Sequence, residues 1–268
     1  MSMECKREKD VLIIVPAYNE EKTISGILEQ LDASEIQEFA DVLVVNDASK
    51  DATGRIAKKR YHKAVVTHIF NLGYGSALQI GYKYAVRRGY DYVIQMDADG
   101  QHDVCNISKI YRELKTPDET GHCPDIVLGS RFMEGSSAFQ VSACKKLAFW
   151  LFRHIIHRET GRKIEDPTTG LQGLNRRTFL YYSFYGNFDN RYPDANMIIQ
   201  MLLLGYTIRE IPAVMHARTD GVSMHSGLKP MVYMIRMFFS IMAVIFRIKV
   251  LKMDVGALED EVVEEKQG

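Results

Sequence analysis

With 268 residues and 46% apolar content, the chain can bury the core of one large α/β domain, alone or with an appendage. Its 34 basic and 34 acidic side chains cancel, so no global positive field points to nucleic acid. Four scattered cysteines (Cys5, Cys105, Cys123, Cys144) form no CxxC pair, which excludes a disulfide framework and fits reduced thiols in the cytosol.

The first ten residues, MSMECKREKD, are polar and lack the apolar run of a secretory signal, so the domain is expected to stay in the cytoplasm. VLIIVPAYNE (11–20) reads as a buried strand that Pro16 stops, and EKTISGILEQL has helical spacing at Ile24, Ile27, Leu28 and Leu31. DVLVVND (41–47) is a second buried strand, and Asp51 is placed to cap a helix reaching Tyr61. AVVTHIF (64–70) is a third strand, and GSALQIGYKYAVRRG (75–89) a helix ending at Gly89. YVIQMD is the fourth strand and DIVLGS (125–130) the fifth.

Beyond residue 140 the pattern changes. CKKLAFWLFRHIIHR (144–158) is a basic, aromatic helix, and DPTTGLQGLNRRTF (166–179) a turn followed by more regular structure. The segment 194–218 reads as an apolar helix, a stop at Gly205, then a strand. A long apolar helix studded with cations spans 229–253, and DVGALEDEVVEEKQG is an acidic, solvated tail. Short apolar strands alternating with helices predict an open, mostly parallel sheet, with ligands at the carboxyl ends of its strands. Tyr18-Asn19-Glu20, Asn46-Asp47, Asn71 and Asp97-Asp99 all fall at such ends.

DADGQHD (97–103) admits three readings: a calcium loop, a helix cap with a solvated turn, or a metal site for an anion. Counting from Asp97 puts His102 where an EF-hand needs glycine and Ser108 where it needs glutamate, which rejects the first. NLGYGSAL has Gly73 and Gly75 but Leu78 at the third dinucleotide-binding position, and no Gly-Lys-Ser/Thr triplet exists for a P-loop. An aspartate pair with an amide two residues on, after a buried strand and beside Asp47, supplies the oxygen donors that Mg²⁺ or Mn²⁺ takes alongside substrate phosphates. Asp103 is the better cap for the next helix.

VPAYNE, VVNDASKDAT, NLGYGSALQIG, DADGQH, LGSR and DPTTGLQG occur in an order that resembles family 2 glycosyltransferases of the GT-A fold. DADGQH together with RTDGVS (218–223) is similar to the dolichyl- and polyprenyl-phosphate sugar transferases among them. The resemblance covers residues 10–225 and implies a catalytic domain over 1–225, followed by an amphipathic segment (226–253) and the tail (254–268). It further implies metal-dependent, inverting transfer of a sugar from a UDP- or GDP-linked donor to a lipid phosphate.

Carried over residue by residue, Pro16, Tyr18 and Glu20 line the base and ribose pocket, Asp47 accepts from base or ribose, and Asp97 lies against the nucleotide. Asp99 and Gln101 hold Mg²⁺ or Mn²⁺; Arg131 and Arg218 face phosphates; Ser223 sits in a closing loop. The family's two acids and Gly-Ser are here Asn46-Asp47-Ala48-Ser49, so one carboxylate is missing, and the Ala48 Cβ penalises a positive φ. Other readings remain for several of these residues. Asp194 is either the base for a hydroxyl acceptor or a helix N-cap. Asp166 is a turn residue before Pro167 or part of the site. His102 orients a ligand or is an ordinary hydrogen-bonded histidine, and Tyr18 and Glu20 pack the loop or contact donor.

Met231–Phe246 is interrupted by Arg236, leaving Met237–Phe246, about half the ~20 residues a span needs. With Arg247, Lys249 and Lys252 following, a helix lying in the headgroup region fits better than a crossing one. Lys145, Lys146, Phe149, Trp150, Phe152, Arg153 and Arg158 form a second such surface. Both point to peripheral binding at the cytoplasmic membrane face, or to a membrane partner protein or second copy. A different class of reading is a silent nucleotide-sugar sensor or scaffold.

Overall fold

Strand β1 (Val11–Ala17) leads through α1 (Ile24–Asp32) and α2 (Ile36–Phe39) to β2 (Ala40–Asn46), α3 (Thr53–Tyr61), β3 (Val65–Thr67), α4 (Tyr74–Arg88) and β4 (Tyr92–Gln95). Then come α5 (Cys105–Leu114), β5 (Ile126–Ser130), α6 (Ala143–Thr160), β6 (Gln172–Asn175), α7 (Arg176–Ser183), α8 (Ala195–Leu203) and β7 (Ile208–Pro212). Last is α9 (Lys229–Ile245), which runs into a π-helical turn over Phe246–Val250. The structure, a computed structural model, describes residues 9–32, 35–61, 64–136, 143–216 and 229–253. Arg218, Ser223, the boundary at 225 and the acidic tail lie outside the described residues.

The strands form one sheet in the order β3-β2-β1-β4-β6-β5-β7, parallel except for β6. Every residue of β1 is buried because helices cover both faces. Leu12 and Ile14 pack with α4, α7, α8 and α9 on one side, while Val11, Ile13 and Val15 pack with α1 and α5 on the other. The chain runs β1 to β2 to β3 in one direction, then returns to place β4 on the other side of β1. That reversal opens a crevice at the carboxyl ends of β1 and β4, where ligands bind in open α/β sheets.

Pro16 does not stop β1, which continues through it to Ala17. Ile14 O accepts from Met96 N and Ala17 O from Asp47 N, so even-numbered β1 residues face β4 and odd-numbered ones face β2. The β4 pairing ends at Ile14, so the missing N–H of Pro16 falls beyond the ladder and costs no bond. Strand β6 and the short α2 are elements the sequence leaves undefined. The helix stops expected at Gly89 and Gly205 are where φ turns positive, at 75° and 83°.

Helix α9 buries Met237, Ile241 and Val244 and exposes Met231, Ile235, Phe239 and Met242, and the π-helical turn exposes Phe246, each at least 44%. The exposed set recurs every three or four residues, so it forms one apolar stripe opposite the packed one. Met231–Val250 is long and apolar enough to cross a membrane, with mean hydropathy 1.8, and 17% of it is buried. Its cations are partly tied to the domain: Arg247 donates to Gln200 Oε1 and Lys249 Nζ to Glu159 Oε2 at 2.8 Å. On α6, Trp150 and Leu147 are 61% and 66% exposed. Phe152, assigned to that surface from sequence, is instead core at 1% exposure. Its i±4 spacing on α6 places it on the same face as Ala148 and Ile156, which are also buried.

Candidate active site

The floor of the crevice is built by short loops that follow the strands. Past β2, Asp47 is 3% exposed, and its carboxylate accepts from Leu72 N and Gly73 N at 2.8 Å and faces His68 Nδ1 at 2.7 Å. Its oxygens thus fix the loop that starts α4. Ala48 sits at φ 56°, the left-handed conformation that the missing glycine would adopt without cost. Past β1, Tyr18 is 41% exposed and Asn19, also at φ 56°, locks onto the β2 loop through Ser49 Oγ at 3.0 Å and Lys50 N at 2.8 Å. Glu20 N donates to Thr53 Oγ1 at 2.7 Å, and Thr23 Oγ1 donates to Ala98 O at 2.7 Å, which joins this loop to the aspartate loop.

Past β4, Asp97 Oδ1 accepts from Tyr74 Oη at 2.8 Å, and Oδ2 lies 3.4 Å from His102 Nε2. Burial works to raise the Asp97 pKa, but the hydrogen bond and charge of His102, the Tyr74 hydroxyl and Arg131 outweigh it and hold the carboxyl below its ordinary value. A Cβ on Gly170 would meet Asp97 Oδ2 at 2.5 Å, so only glycine lets the DPTTG turn pass this carboxylate. Asp99 Oδ1 accepts from Gln101 N at 3.0 Å, which folds the loop into an Asx turn. Asp103 accepts from Cys105 N at 2.8 Å and starts α5, as expected of a cap. His102 is 5% exposed, with Nδ1 lacking a partner among the described residues.

The opposite wall comes from β5 and the DPTTG turn. Arg131 Nε and Nη2 each donate to Asp166 at 2.7 Å, and Nη2 also donates to Thr168 Oγ1 at 2.8 Å. Asp166 is fully buried and holds the Arg131 guanidinium through this bidentate pair. Burial lowers the Arg131 pKa, but the Asp166 hydrogen bonds and charge, with Asp194 and Asp97, raise it. Thr168 of the DPTTG turn holds Arg131 and Gly170 of the same turn lies against Asp97, so this turn joins the two walls.

Asp194 stands at the N-cap position of α8, yet its side chain caps nothing; Oδ2 accepts from Tyr233 Oη of α9 at 2.6 Å. Burial raises its pKa to about 6 from 3.8; the Tyr233 bond and Arg131 lower it, and Asp97 and Asp189 raise it. The folded chain holds this proton more tightly than the unfolded one, so the contribution to stability is present below about pH 4 and is lost as pH rises through about 6. Asp194→Asn keeps an acceptor for Tyr233 and removes the charge. Its Tm is expected above wild type at pH 8, with the difference shrinking towards pH 4; equal Tm values at pH 8 in thermal melts refute this.

Tyr74, His68, Gly170, Thr168 and Tyr233 complete the site and escape sequence reasoning. Tyr74 carried a usable signal, standing between Gly73 and Gly75 at a strand-end helix start. Among the described residues, no three His, Cys, Asp or Glu side chains cluster as a metal cage. Hard oxygen donors from Asp99 and Gln101, beside an anionic Asp97, fit a Mg²⁺- or Mn²⁺-type ion whose shell substrate phosphates complete.

An open, mostly parallel sheet with an acidic loop at its reversal point is the framework that GT-A glycosyltransferases use. The chain belongs to glycosyl transferase family 2, whose profile matches residues 12–180. It is 29% identical to undecaprenyl-phosphate mannosyltransferase of Micrococcus luteus over 81% of this chain and 88% of that one. It is 26% identical to polyprenol monophosphomannose synthase of Mycolicibacterium smegmatis over 81% of each chain. The crystal structure of glucosyl-3-phosphoglycerate synthase from Mycobacterium tuberculosis shares the fold, with TM-score 0.63 and 20% identity over 89% of this chain and 79% of that one. That enzyme has also been solved with Mn²⁺ and UDP.

Proposed function

We propose that this glycosyltransferase moves a sugar, with inversion, from a nucleoside-diphosphate donor to a polyprenyl or dolichyl phosphate at the cytoplasmic face of a membrane. The Arg131 guanidinium, fixed by Asp166 and Thr168 on the same DPTTG turn whose Gly170 passes the Asp97 carboxylate, carries the reading. An anionic phosphate oxygen of the acceptor attacks the sugar C1, the C1–O bond to the diphosphate breaks, and its electron pair leaves with the nucleoside diphosphate. The nucleophile is already charged, so no proton must be removed. Arg131, fixed by Asp166, holds positive charge beside the departing diphosphate without reorganising. Asp97 faces the nucleotide, Asp99 and Gln101 hold Mg²⁺ or Mn²⁺, and the ion when bound supplies Lewis-acid stabilisation of the leaving group. Pro16, Tyr18 and Glu20 border the base and ribose, and Asp47 acts through the Leu72–Gly73 loop. Arg218 supplies a second positive charge to the phosphates and Ser223 contacts the donor.

The names of the two relatives and the Mn²⁺–UDP complex of the solved neighbour support this reading, as does the apolar stripe of α9 for peripheral membrane contact. Incubating the protein with UDP- and GDP-sugars and polyprenyl phosphate, with and without Mn²⁺, is expected to give one organic-extractable sugar lipid in the presence of metal. No lipid product from any donor overturns the proposal. The raised pKa of Asp194 supports a second reading, with a saccharide hydroxyl as acceptor and Asp194 as base. Activity of Asp194→Asn on lipid phosphate excludes that alternative.

A further inference from the structure

A cavity of about 220 Å³ lies between the 189–192 loop and α9, outside the strand-end crevice but sharing Tyr233 with it. Arg191 and Arg236 reach it from the two sides, and neither guanidinium has a carboxylate partner among the described residues. Asp189 also lines it, but its oxygens accept from Arg191 N at 2.8 Å, Tyr192 N at 2.9 Å and Asn196 Nδ2 at 2.9 Å. That carboxylate is therefore committed to shaping the loop. The loop is rigid at its root as well. A Cβ on Gly75 would meet Asp189 O at 2.0 Å, and Ser76 N donates to Asn190 O at 3.0 Å.

Among the described residues nothing neutralises these two cations, and a planar guanidinium is matched to phosphate oxygens. Tyr192 and Tyr233 pack edge to face at 5.7 Å and form an aromatic wall. Tyr233 Oη sits 2.6 Å from Asp194, so a group in this cavity lies one side chain from the crevice. Val232 and Phe239, 52% and 65% exposed, lie about one turn before and after Arg236 on α9, continuing into the apolar stripe.

Resting on the lipid-phosphate reading above, we propose that Arg191 and Arg236 form the entry site for the acceptor's phosphate, with its hydrocarbon chain laid along the exposed stripe of α9. A phosphate monoester with an apolar tail uses both features. Inorganic phosphate uses only the first, and bulk anionic lipid is the competing source of the same chemistry.

The test uses citronellyl phosphate, inorganic phosphate, and phosphatidylcholine vesicles containing phosphatidylglycerol, with wild type, Arg191→Gln, Arg236→Gln and the double variant. Each single change is expected to raise the KM for citronellyl phosphate by about tenfold or more, the loss of one charge-assisted contact, with the donor KM unchanged. Direct titration without donor is expected to show the same loss of citronellyl phosphate affinity, and weak binding of inorganic phosphate. An acceptor KM and affinity within twofold of wild type in the double variant overturns the site. Loss of vesicle binding alone, with citronellyl phosphate affinity kept, also overturns it by assigning the arginines to bulk lipid. If wild type glycosylates no lipid phosphate, the functional reading fails, while the titration still decides whether the cavity binds a prenyl phosphate.

Discussion

Asp99→Asn is expected to lower sugar transfer by about 10²–10³-fold, the range seen when one preorganised electrostatic contact to a developing charge is removed. Asparagine keeps an oxygen for Gln101 N, which Asp99 accepts at 3.0 Å, so the Asx turn survives and the loss is one of charge. The proposed ion needs that charge because only Asp99 and the neutral amide of Gln101 contribute from this loop, leaving the diphosphate to provide the rest. Two readouts separate this from misfolding. The Mn²⁺ concentration for half-maximal rate is expected to rise in the variant, while the thermal midpoint stays near wild type. Chelation with EDTA is expected to bring wild type down to the variant's rate. A variant with wild-type turnover and metal dependence removes Asp99 from the metal role.

The strands that form the site were legible because they are buried on both faces and so read as unbroken apolar runs. VLIIV and VLVV are short, β-branched and bounded by turn residues, and the carboxylates that follow them fall at the crevice by topology alone. Strand β6 was not legible for a matching reason. Its sequence, Gln172-Gly173-Leu174-Asn175, has no β-branched residue and is a strand only because β4 and β5 pair with it from both sides. Gly173 is required there by tertiary packing, since a Cβ would fall 2.2 Å from Ile110 of α5. The same limit applies to partners within the site. Asp47 was visible as a strand-end carboxylate, but its donors Leu72 N and Gly73 N lie 25 and 26 residues away and carry no side-chain signature. Ala48 is the converse, a position where the expected strain was read from one missing glycine and φ is indeed 56°. Asp194 shows where local rules mislead: its spacing before an apolar helix predicts a cap, but Tyr233, 39 residues on, takes the carboxylate instead.

Arg131→Met is expected to cost about 3–5 kcal/mol of stability, the range for removing one partner of a buried ion pair. The cost comes from what is left behind. Asp166 is 0% exposed and loses both guanidinium bonds, keeping only the Arg131 backbone N–H at 3.0 Å and a contact with Thr168 Oγ1 at 3.4 Å. Glu210, whose pKa burial raises and whose Oε1 accepts from Asp166 N at 2.8 Å, then adds a second acid to the same pocket. The Arg131→Met/Asp166→Leu double variant removes both charges and is expected to recover most of the loss, because an apolar pair of similar volume is tolerated where a lone charge is not. Urea unfolding of wild type, Arg131→Met, Asp166→Leu and the double variant gives the coupling energy directly. Recovery of stability without recovery of transfer shows that the pair is held for the charge Arg131 presents to the diphosphate. A loss below about 1 kcal/mol in Arg131→Met, the range of an exposed pair, contradicts the buried geometry.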